Sequence, residues 1–151
     1  MDELKLKGQI AIITGGAQGI GKSIASTLAE KGANLVIVDV QEELAKITAE
    51  ELSSKYNIQA FSLKVDVSVS QDTDNMVKAV IEKFNKIDIL VNNAGITRDN
   101  LLIRLSDEDW DKVISINLKG VFNCTKSVAK IMLRQHSGKI VNISSVVGIM
   151  G

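Results

Sequence analysis

The chain has no proline, a single cysteine, only 3% aromatic residues and a formal net charge of zero over 151 residues. With 45% hydrophobic and 24% charged residues, this composition excludes disordered and fibrous chains and indicates one compact soluble domain. A chain of this length buries roughly 68–70% of its unfolded surface, so its core needs neither a metal ion nor a disulfide. We therefore predict no metal site, and we expect the lone Cys124 to be a small buried residue.

Excess charge and long apolar runs are also missing. The 18 basic and 18 acidic residues balance, and no basic cluster offers the positive surface that nucleic-acid binding requires. The longest apolar runs, at residues 10–13 and 35–38, are too short for a signal sequence or a membrane span. We expect a cytoplasmic protein with neither a nucleic-acid nor a membrane partner.

Apolar and amphipathic segments alternate along the whole chain, with no linker, internal repeat or low-complexity tract between them. This alternation is typical of α/β proteins in which helices cover both faces of a parallel sheet. We predict five strands, at residues 9–14, 34–39, 59–66, 87–91 and 139–144. All of them belong to one folding unit, so residues 1–151 are predicted to form a single domain.

The first two helices are predicted from their apolar faces. In the first helix this face comprises Ile20, Ile24, Ala25, Leu28 and Ala29. Gly32 can end that helix in a left-handed turn. The second helix, at residues 42–56, presents Leu44, Ile47 and Leu52.

The other two helices are predicted from their starts as well as their faces. The third, at residues 71–84, follows a candidate cap at Ser70. The fourth begins with a capping box formed by Ser106 and Asp109, and its apolar stripe continues towards His136.

A glycine-rich segment, TGGAQGIG at residues 14–21, lies where the first strand meets the first helix. Gly15 would allow a tight turn, Gly19 would let the backbone approach a pyrophosphate, and Gly21 would let the helix pack against the strand. The helix N-terminus would then face the anion with free N–H groups and the positive end of its dipole. A purely structural glycine turn is the alternative, but the flanking strand and helix favour a dinucleotide site.

An acidic residue, Asp39, ends the second strand at the spacing expected for a carboxylate that binds the adenosine ribose. A ribose 2′-phosphate would meet like charge there, and Gln18 in the glycine segment supplies no compensating positive charge. NAD(H) is therefore favoured, with NADP(H) still possible. The alternative is that Asp39 is only a solvated residue at the end of a strand.

Two motifs together resemble the short-chain dehydrogenase/reductase family. Residues 14–21 are similar to its TGxxxGxG pattern, and the NNAG sequence at residues 92–95 is similar to its NNAG pattern. Residues 93–99, 116–118 and 141–148 look most like the 3-oxoacyl-[acyl-carrier-protein] reductases of that family. The resemblance covers essentially the whole chain and implies the N-terminal part of a Rossmann-type doubly wound parallel sheet.

The resemblance implies that the cofactor lies at the carboxyl ends of the strands, as ligands of open parallel sheets do. Asp66 and Val67 would contact the adenine, and Asn93 and Ala94 would line the crevice. The full predicted set is Gly15, Gln18, Gly19, Ile20, Gly21, Asp39, Asp66, Val67, Asn93, Ala94 and Gly95. Alternatively, Asp66 is a residue of the helix-entry turn, and Asn93 ties a loop together through its side-chain amide.

By the same resemblance, Ser145 would donate a hydrogen bond to the substrate oxygen and Asn117 would support a proton-relay water. A ketone that accepts hydride develops negative charge on oxygen, which preplaced donors stabilise in the transition state. Alternatively, Ser144 or Ser145 is a simple strand-end hydroxyl, and Asn117 is a polar residue on the open side of its helix.

The family's Tyr-x-x-x-Lys pair is absent from the chain. The only tyrosine, Tyr56, falls in the predicted second helix and is followed four positions later by Ala60. In the family the pair follows the segment that ends here at Gly151, so we expect a truncated chain. Because a general acid typically contributes about 10²–10⁴ in rate, we also expect the chain to be inactive alone.

The leading interpretation is the cofactor half of an NAD(P)H-dependent 3-oxoacyl-acyl carrier protein reductase. An acyl carrier protein thioester is then the substrate, and a homo-oligomer, a tetramer at full length, is the expected assembly. Arg98 and Arg104 either face the acidic carrier protein or are solvated charges at a helix edge. The alternatives are another short-chain alcohol dehydrogenase and a non-catalytic nucleotide-binding module.

Overall fold

The computed structural model, which describes residues 5–150, contains one sheet of five parallel strands. The strands are β1 (Ile10–Thr14), β2 (Asn34–Asp39), β3 (Ala60–Lys64), β4 (Ile89–Asn92) and β5 (Lys139–Asn142). Their order across the sheet is β3-β2-β1-β4-β5. The chain therefore starts at the centre, moves out to β3 and crosses back to the other side of β1, which confirms the doubly wound α/β fold. Residues 1–4 and 151 of the predicted domain lie outside the described residues.

Helices connect the strands. They are α1 (Gly19–Glu30), α2 (Glu42–Tyr56), α3 (Ser70–Phe84), α4 (Asp107–Ile114), α5 (Gly120–Gln135) and α6 (Val147–Met150). A short 3₁₀ turn, Leu102–Arg104, precedes α4, and a π-helical segment, Ser115–Lys119, joins α4 to α5 without leaving helical geometry. The predicted fourth helix is therefore present, but it contains a π-helical turn, which is wider than an α-helical turn and which the spacing of the apolar residues does not reveal.

The central strand β1 is buried on both faces. Ile10 and Ile12 belong to the core cluster beneath α3 and α5, whereas Ala11 and Ile13 belong to the cluster beneath α1 and α2. Each face of the sheet thus has its own hydrophobic core. This explains why β1 and β2 are continuous apolar runs instead of alternating patterns.

Small residues, not the largest ones, form the buried faces of α1 and α2. In α1 the buried residues are Gly21, Ala25 and Ala29, while Ile20 is 66% exposed. In α2 the predicted Ile47 is 58% exposed, and the buried residues are Ala45, Thr48, Ala49 and Leu52. The predicted roles of Ile20 and Ile47 in the packing faces are therefore wrong, because both side chains lie on the exposed sides of their helices.

Two of the three predicted helix-end residues, Gly32 and Ser106, have the predicted role. Gly32 has φ +90°, its N–H donates to Ala29, and the N–H of Ala33 donates to the carbonyl of Leu28, which is a Schellman ending. The Ser106 hydroxyl accepts from the N–H of Asp109 at 3.1 Å, as expected of a cap. The cap predicted at Ser70 is wrong.

Ser70 is instead the first residue of α3, after an N-cap at Val69 that makes no side-chain hydrogen bond. Its carbonyl accepts a hydrogen bond from the Thr73 hydroxyl at 2.8 Å. The helix thus begins one residue earlier than the predicted start, because this local bond and the Asp72 carboxylate in the first turn support it.

The outer strand β5 is exposed along its whole length. It pairs with β4 on one side, yet Ile140 is 37% exposed and Val141 is 46% exposed. The strand also ends at Asn142, two residues before the predicted end. Among residues 5–150, no helix is both long enough and apolar enough to cross a membrane.

Cys124 provides a chemical test of the core. The thiol is fully buried in α5, and burial raises its pKa to about 12. Because the thiolate is the reactive form, we expect an aromatic disulfide reagent to label Cys124 only after unfolding in urea. A Ser54→Cys variant, with its new thiol on the exposed side of α2, should be labelled at once under native conditions. Rapid native labelling of the parent chain would contradict the burial of Cys124.

Candidate functional site

A cavity of about 370 Å³ opens at the carboxyl ends of the central strands. Eight residues predicted to bind a cofactor line it: Gly15, Gln18, Asp39, Asp66, Val67, Asn93, Ala94 and Gly95. Six further lining residues were not predicted: Val38, Val40, Gln41, Val65, Ile96 and Ile116. Val40 and Val65 each directly follow a strand, so the strand ends are the sequence signal that points to these two residues.

The turn after β1 requires glycine for two reasons. Gly15 has φ +62°, and a Cβ atom there would lie 2.9 Å from the Cα atom of Ala94. Gly21, at the start of α1, would collide through a Cβ atom with the carbonyl oxygen of Gly15. The tight turn at Gly15 is thus confirmed, whereas the close contact of Gly21 is with this turn and not with the strand itself.

The N-terminus of α1 lies next to the glycine turn. Within the described chain, its N-cap Gln18 makes no side-chain capping bond and its first turn contains no acidic residue. The first N–H groups and the positive end of the helix dipole therefore remain available to an anion. Gly19 and Ile20 themselves line a shallow groove on the outer side of α1, not the cavity.

Asp39 holds the glycine turn in place. The carboxylate is buried, and it accepts hydrogen bonds from the N–H groups of Ala17 at 3.2 Å and Gln41 at 3.1 Å. Asp39 is therefore not a solvated strand end. Each carboxylate oxygen has more than one acceptor position, so these bonds leave capacity for a ligand hydroxyl group.

Thr48 supports the same residue, Ala17, from the other side. Its fully buried hydroxyl donates to the carbonyl oxygen of Ala17 at 2.7 Å. The peptide groups on both sides of Ala17 are thus fixed by side chains from β2 and α2. The sequence reasoning missed Thr48, although one polar residue among the apolar residues Ala45, Ala49 and Leu52 is a signal that could have found it.

Thr14 and Asn93 join the end of β1 to the loop after β4. The Thr14 hydroxyl accepts from the N–H groups of Asn93 and Ala94, each at 3.0 Å. The Asn93 amide donates in return to the carbonyls of Thr14 and Gly15, each at 3.1 Å. The predicted role of Asn93 in holding a loop through its side-chain amide is confirmed. Thr14 takes part in the same group of hydrogen bonds, a role that the sequence reasoning did not assign.

Asp66 forms the turn that leads into α3. Its Oδ1 accepts from the Ser68 N–H at 2.9 Å and from the Ser68 hydroxyl at 2.6 Å. Its own N–H donates to Asp72 at 3.0 Å. The alternative role of Asp66, as a residue of the helix-entry turn, is therefore confirmed. Contact of Asp66 and Val67 with an adenine stays a prediction.

The two predicted catalytic residues lie in different surroundings. Asn117, in the π-helical segment, is exposed, and its amide both donates to and accepts from the backbone of Ile96 at 2.9 Å. Since Ile96 lines the cavity, Asn117 lies beside it. Ser145 follows β5, is exposed, and accepts from the N–H of Val147 at 3.2 Å. It is not among the lining residues, and neither catalytic role is tested by this geometry.

The sequence and the fold both have well-characterised counterparts. The short chain dehydrogenase family model matches residues 9–151. The chain is 45% identical over 142 residues to 3-oxoacyl-[acyl-carrier-protein] reductase FabG of Staphylococcus epidermidis, a match that covers 93% of this chain and 58% of that protein. It is 44% identical over 153 residues to the protein of that name from Thermotoga maritima, covering 98% and 60%, respectively.

A solved structure of NAD⁺-bound xylitol dehydrogenase has a TM-score of 0.94 to the chain at 30% identity. This match covers 97% of the chain and 56% of the dehydrogenase. The chain therefore spans a little under two thirds of the length of these relatives. Because the family model covers almost all of its residues, the chain belongs to the short chain dehydrogenase family.

Proposed function

We propose that residues 1–151 form the single dinucleotide-binding domain of an oxidoreductase that reduces 3-oxoacyl-acyl carrier protein to 3-hydroxyacyl-acyl carrier protein in fatty-acid synthesis. One observation carries the proposal: Thr14, Gly15 and Asn93 join two strand ends around a cavity beside an uncapped helix N-terminus. The names of two curated relatives support the substrate class. A bound reduced nicotinamide would supply hydride to the 3-keto carbon.

The residues that line the cavity fit the parts of such a cofactor. The N–H groups at the start of α1 suit the pyrophosphate, and a Cβ atom built at Gly19 meets open space on that side. Asp39 suits the ribose hydroxyls, and Asp66 with Val67 suits the adenine. Asn93, Ala94 and Gly95 line the remainder of the crevice.

The cofactor preference is expected to depend on Asp39. The native chain should bind NADH more tightly than NADPH, because a 2′-phosphate would meet the Asp39 carboxylate. In the Asp39→Asn variant, the ratio of the NADPH to the NADH dissociation constant should fall by roughly tenfold, about 1.4 kcal/mol of relieved repulsion. Fluorescence titration with both dinucleotides measures this ratio.

The matched control is Asp111→Asn, which removes one charge from the exposed surface of α4 and should leave the ratio unchanged. Equal affinities for the two dinucleotides in the native chain, or tighter binding of NADPH, would refute the role of Asp39.

Thr48 is expected to matter for both stability and binding. The Thr48→Val variant keeps the side-chain shape but leaves the buried Ala17 carbonyl without its donor, which should cost about 1–3 kcal/mol of unfolding free energy. Urea denaturation measures this cost, and NADH titration should show weaker binding. Thr27→Val on the exposed side of α1 is the control, and equal effects of the two substitutions would contradict the proposed support of Ala17.

For the chemical step, we propose that Ser145 donates a hydrogen bond to the substrate oxygen and that Asn117 supports proton transfer. Both roles come from the family resemblance. Tyr56 is unsuited to be the proton donor at this site, because it ends α2 and lines a different cavity at the amino-terminal edge of the sheet.

The 151-residue chain should therefore reduce 3-oxoacyl thioesters at a rate about 10²–10⁴ lower than a relative that has a positioned general acid. A spectrophotometric NADH assay against the Staphylococcus epidermidis reductase measures the difference. Comparable turnover by a sample whose mass excludes contamination would contradict this expectation.

A second candidate function is that of another short-chain alcohol dehydrogenase, which interconverts a small alcohol and its ketone and which the structural match to xylitol dehydrogenase favours. Binding competition between acyl carrier protein thioesters and small ketones, measured on the chain loaded with NADH, separates the two functions. Preference for the small ketone would support the second one.

We also propose that the protein forms a homo-oligomer. An exposed apolar row runs along the continuous helix from α4 to α5 and consists of Trp110, Ile114, Leu118 and Phe122, of which Leu118 is 64% exposed. Contiguous exposed apolar surface of this kind is typical of protein interfaces.

Light scattering should thus give a mass above the 16.3 kDa of one chain, and Leu118→Lys should lower it. Ile47→Lys, which changes an exposed apolar residue on α2, is the control. A stable monomer of the native chain at all concentrations would contradict the proposed interface.

A further inference from the structure

The only tyrosine of the chain lies in a side-chain cluster separate from the candidate cofactor cavity. Tyr56 is the last residue of α2, is half-buried, and packs partly against the core cluster beneath α1 and α2. It also lines an open cavity of about 570 Å³ at the amino-terminal edge of the sheet. A small molecule can therefore reach the phenol.

Side chains from two helices surround the phenol oxygen and ring. The Tyr56 oxygen lies 2.8 Å from the hydroxyl oxygen of Ser26 on α1. The ammonium nitrogen of Lys55 lies 4.9 Å from the centre of the Tyr56 ring. Two further charged residues line this cavity, Glu30 from α1 and Lys7 from the segment before β1.

This cluster favours the ionised phenol. Hydrogen bonding by Ser26, followed by the neighbouring Lys55 ammonium group, lowers the pKa of Tyr56 from its ordinary value. Burial and the negative charge of Glu30 oppose the shift without cancelling it. A phenolate is a far better nucleophile than a neutral phenol.

We propose that Ser26, Lys55 and Tyr56 form an acylation site, in which the Tyr56 oxygen takes up the acyl group of a small activated acyl donor. The new bond joins the phenol oxygen to the acyl carbon, and the bond from that carbon to the leaving group breaks. The phenol proton passes to water before the attack, and the leaving group carries away the bonding electron pair and takes a proton back from water. Lys55 keeps its charge throughout, and Ser26 donates a hydrogen bond to the phenolate.

The single tyrosine makes the site directly measurable. With N-acetylimidazole as the probe, O-acetylation of Tyr56 is detected by the mass of the labelled peptide and is confirmed by its removal with hydroxylamine. We expect acetylation at neutral pH to be faster in the native chain than in the urea-denatured chain. The ultraviolet titration of the phenol should also have a lower midpoint in the native chain.

Variants of the two neighbours test the cluster. Lys55→Met and Ser26→Ala should each slow native acetylation by about two- to fivefold, the effect of losing one exposed polar interaction. Lys55→Arg keeps the positive charge and should restore most of the rate. The matched controls Lys46→Met and Ser23→Ala alter exposed residues on the same two helices and should leave the rate unchanged.

The site would be ruled out by native acetylation that is no faster than acetylation of the denatured chain. It would equally be ruled out if Lys55→Met and Lys46→Met behaved alike. If Ser26→Ala fails to fold, the comparison of Lys55→Met with Lys55→Arg decides the question, because Lys55 is exposed and its substitution leaves the core intact.

Discussion

The structure depends on the hydrogen bonds that join Thr14 to the loop containing Asn93. These residues end or follow two neighbouring parallel strands, and four hydrogen bonds between their loops fix the relative positions of the strand ends. The glycine turn can approach this loop closely because Gly15 has no side chain to collide with Ala94. Asp39 and Thr48 then hold the two peptide groups that flank Ala17 in the turn. The cavity is therefore shaped by buried polar contacts and not by its lining side chains alone.

Much of the fold could be predicted because its signals are local. The strand at residues 34–39 and the helix at residues 42–56 match the structure at both ends, since a buried β-strand and a helical spacing of apolar residues leave strong patterns in sequence. The helix faces were harder to predict. Ile20 and Ile47 are large and correctly spaced, yet the orientation of each helix on the sheet, which is a tertiary property, places other residues of the helix in the core.

The site residues were predictable at positions where the physical requirement can be met by only one type of residue. Glycines at a strand-to-helix turn and an acidic residue at the next strand end both lie where the pattern indicates. The supporting residues were not predictable in the same way, because Thr14 and Thr48 act through backbone groups that are distant in sequence. Asn93 and Asp66 each have a visible structural role, which shows that a loop residue can both shape a crevice and face it.

The π-helical segment at residues 115–119 determines how α5 is rotated about its axis relative to α4. A π turn is equivalent to one residue inserted into an α-helix, and one residue corresponds to about 100° of rotation. Removal of a single residue there would rotate α5 relative to α4 by that angle. Cys124 and Val128 would then turn away from the sheet while the strands stayed in register. The length of this segment is thus a constraint on the packing of α5 that is separate from the roles of its side chains.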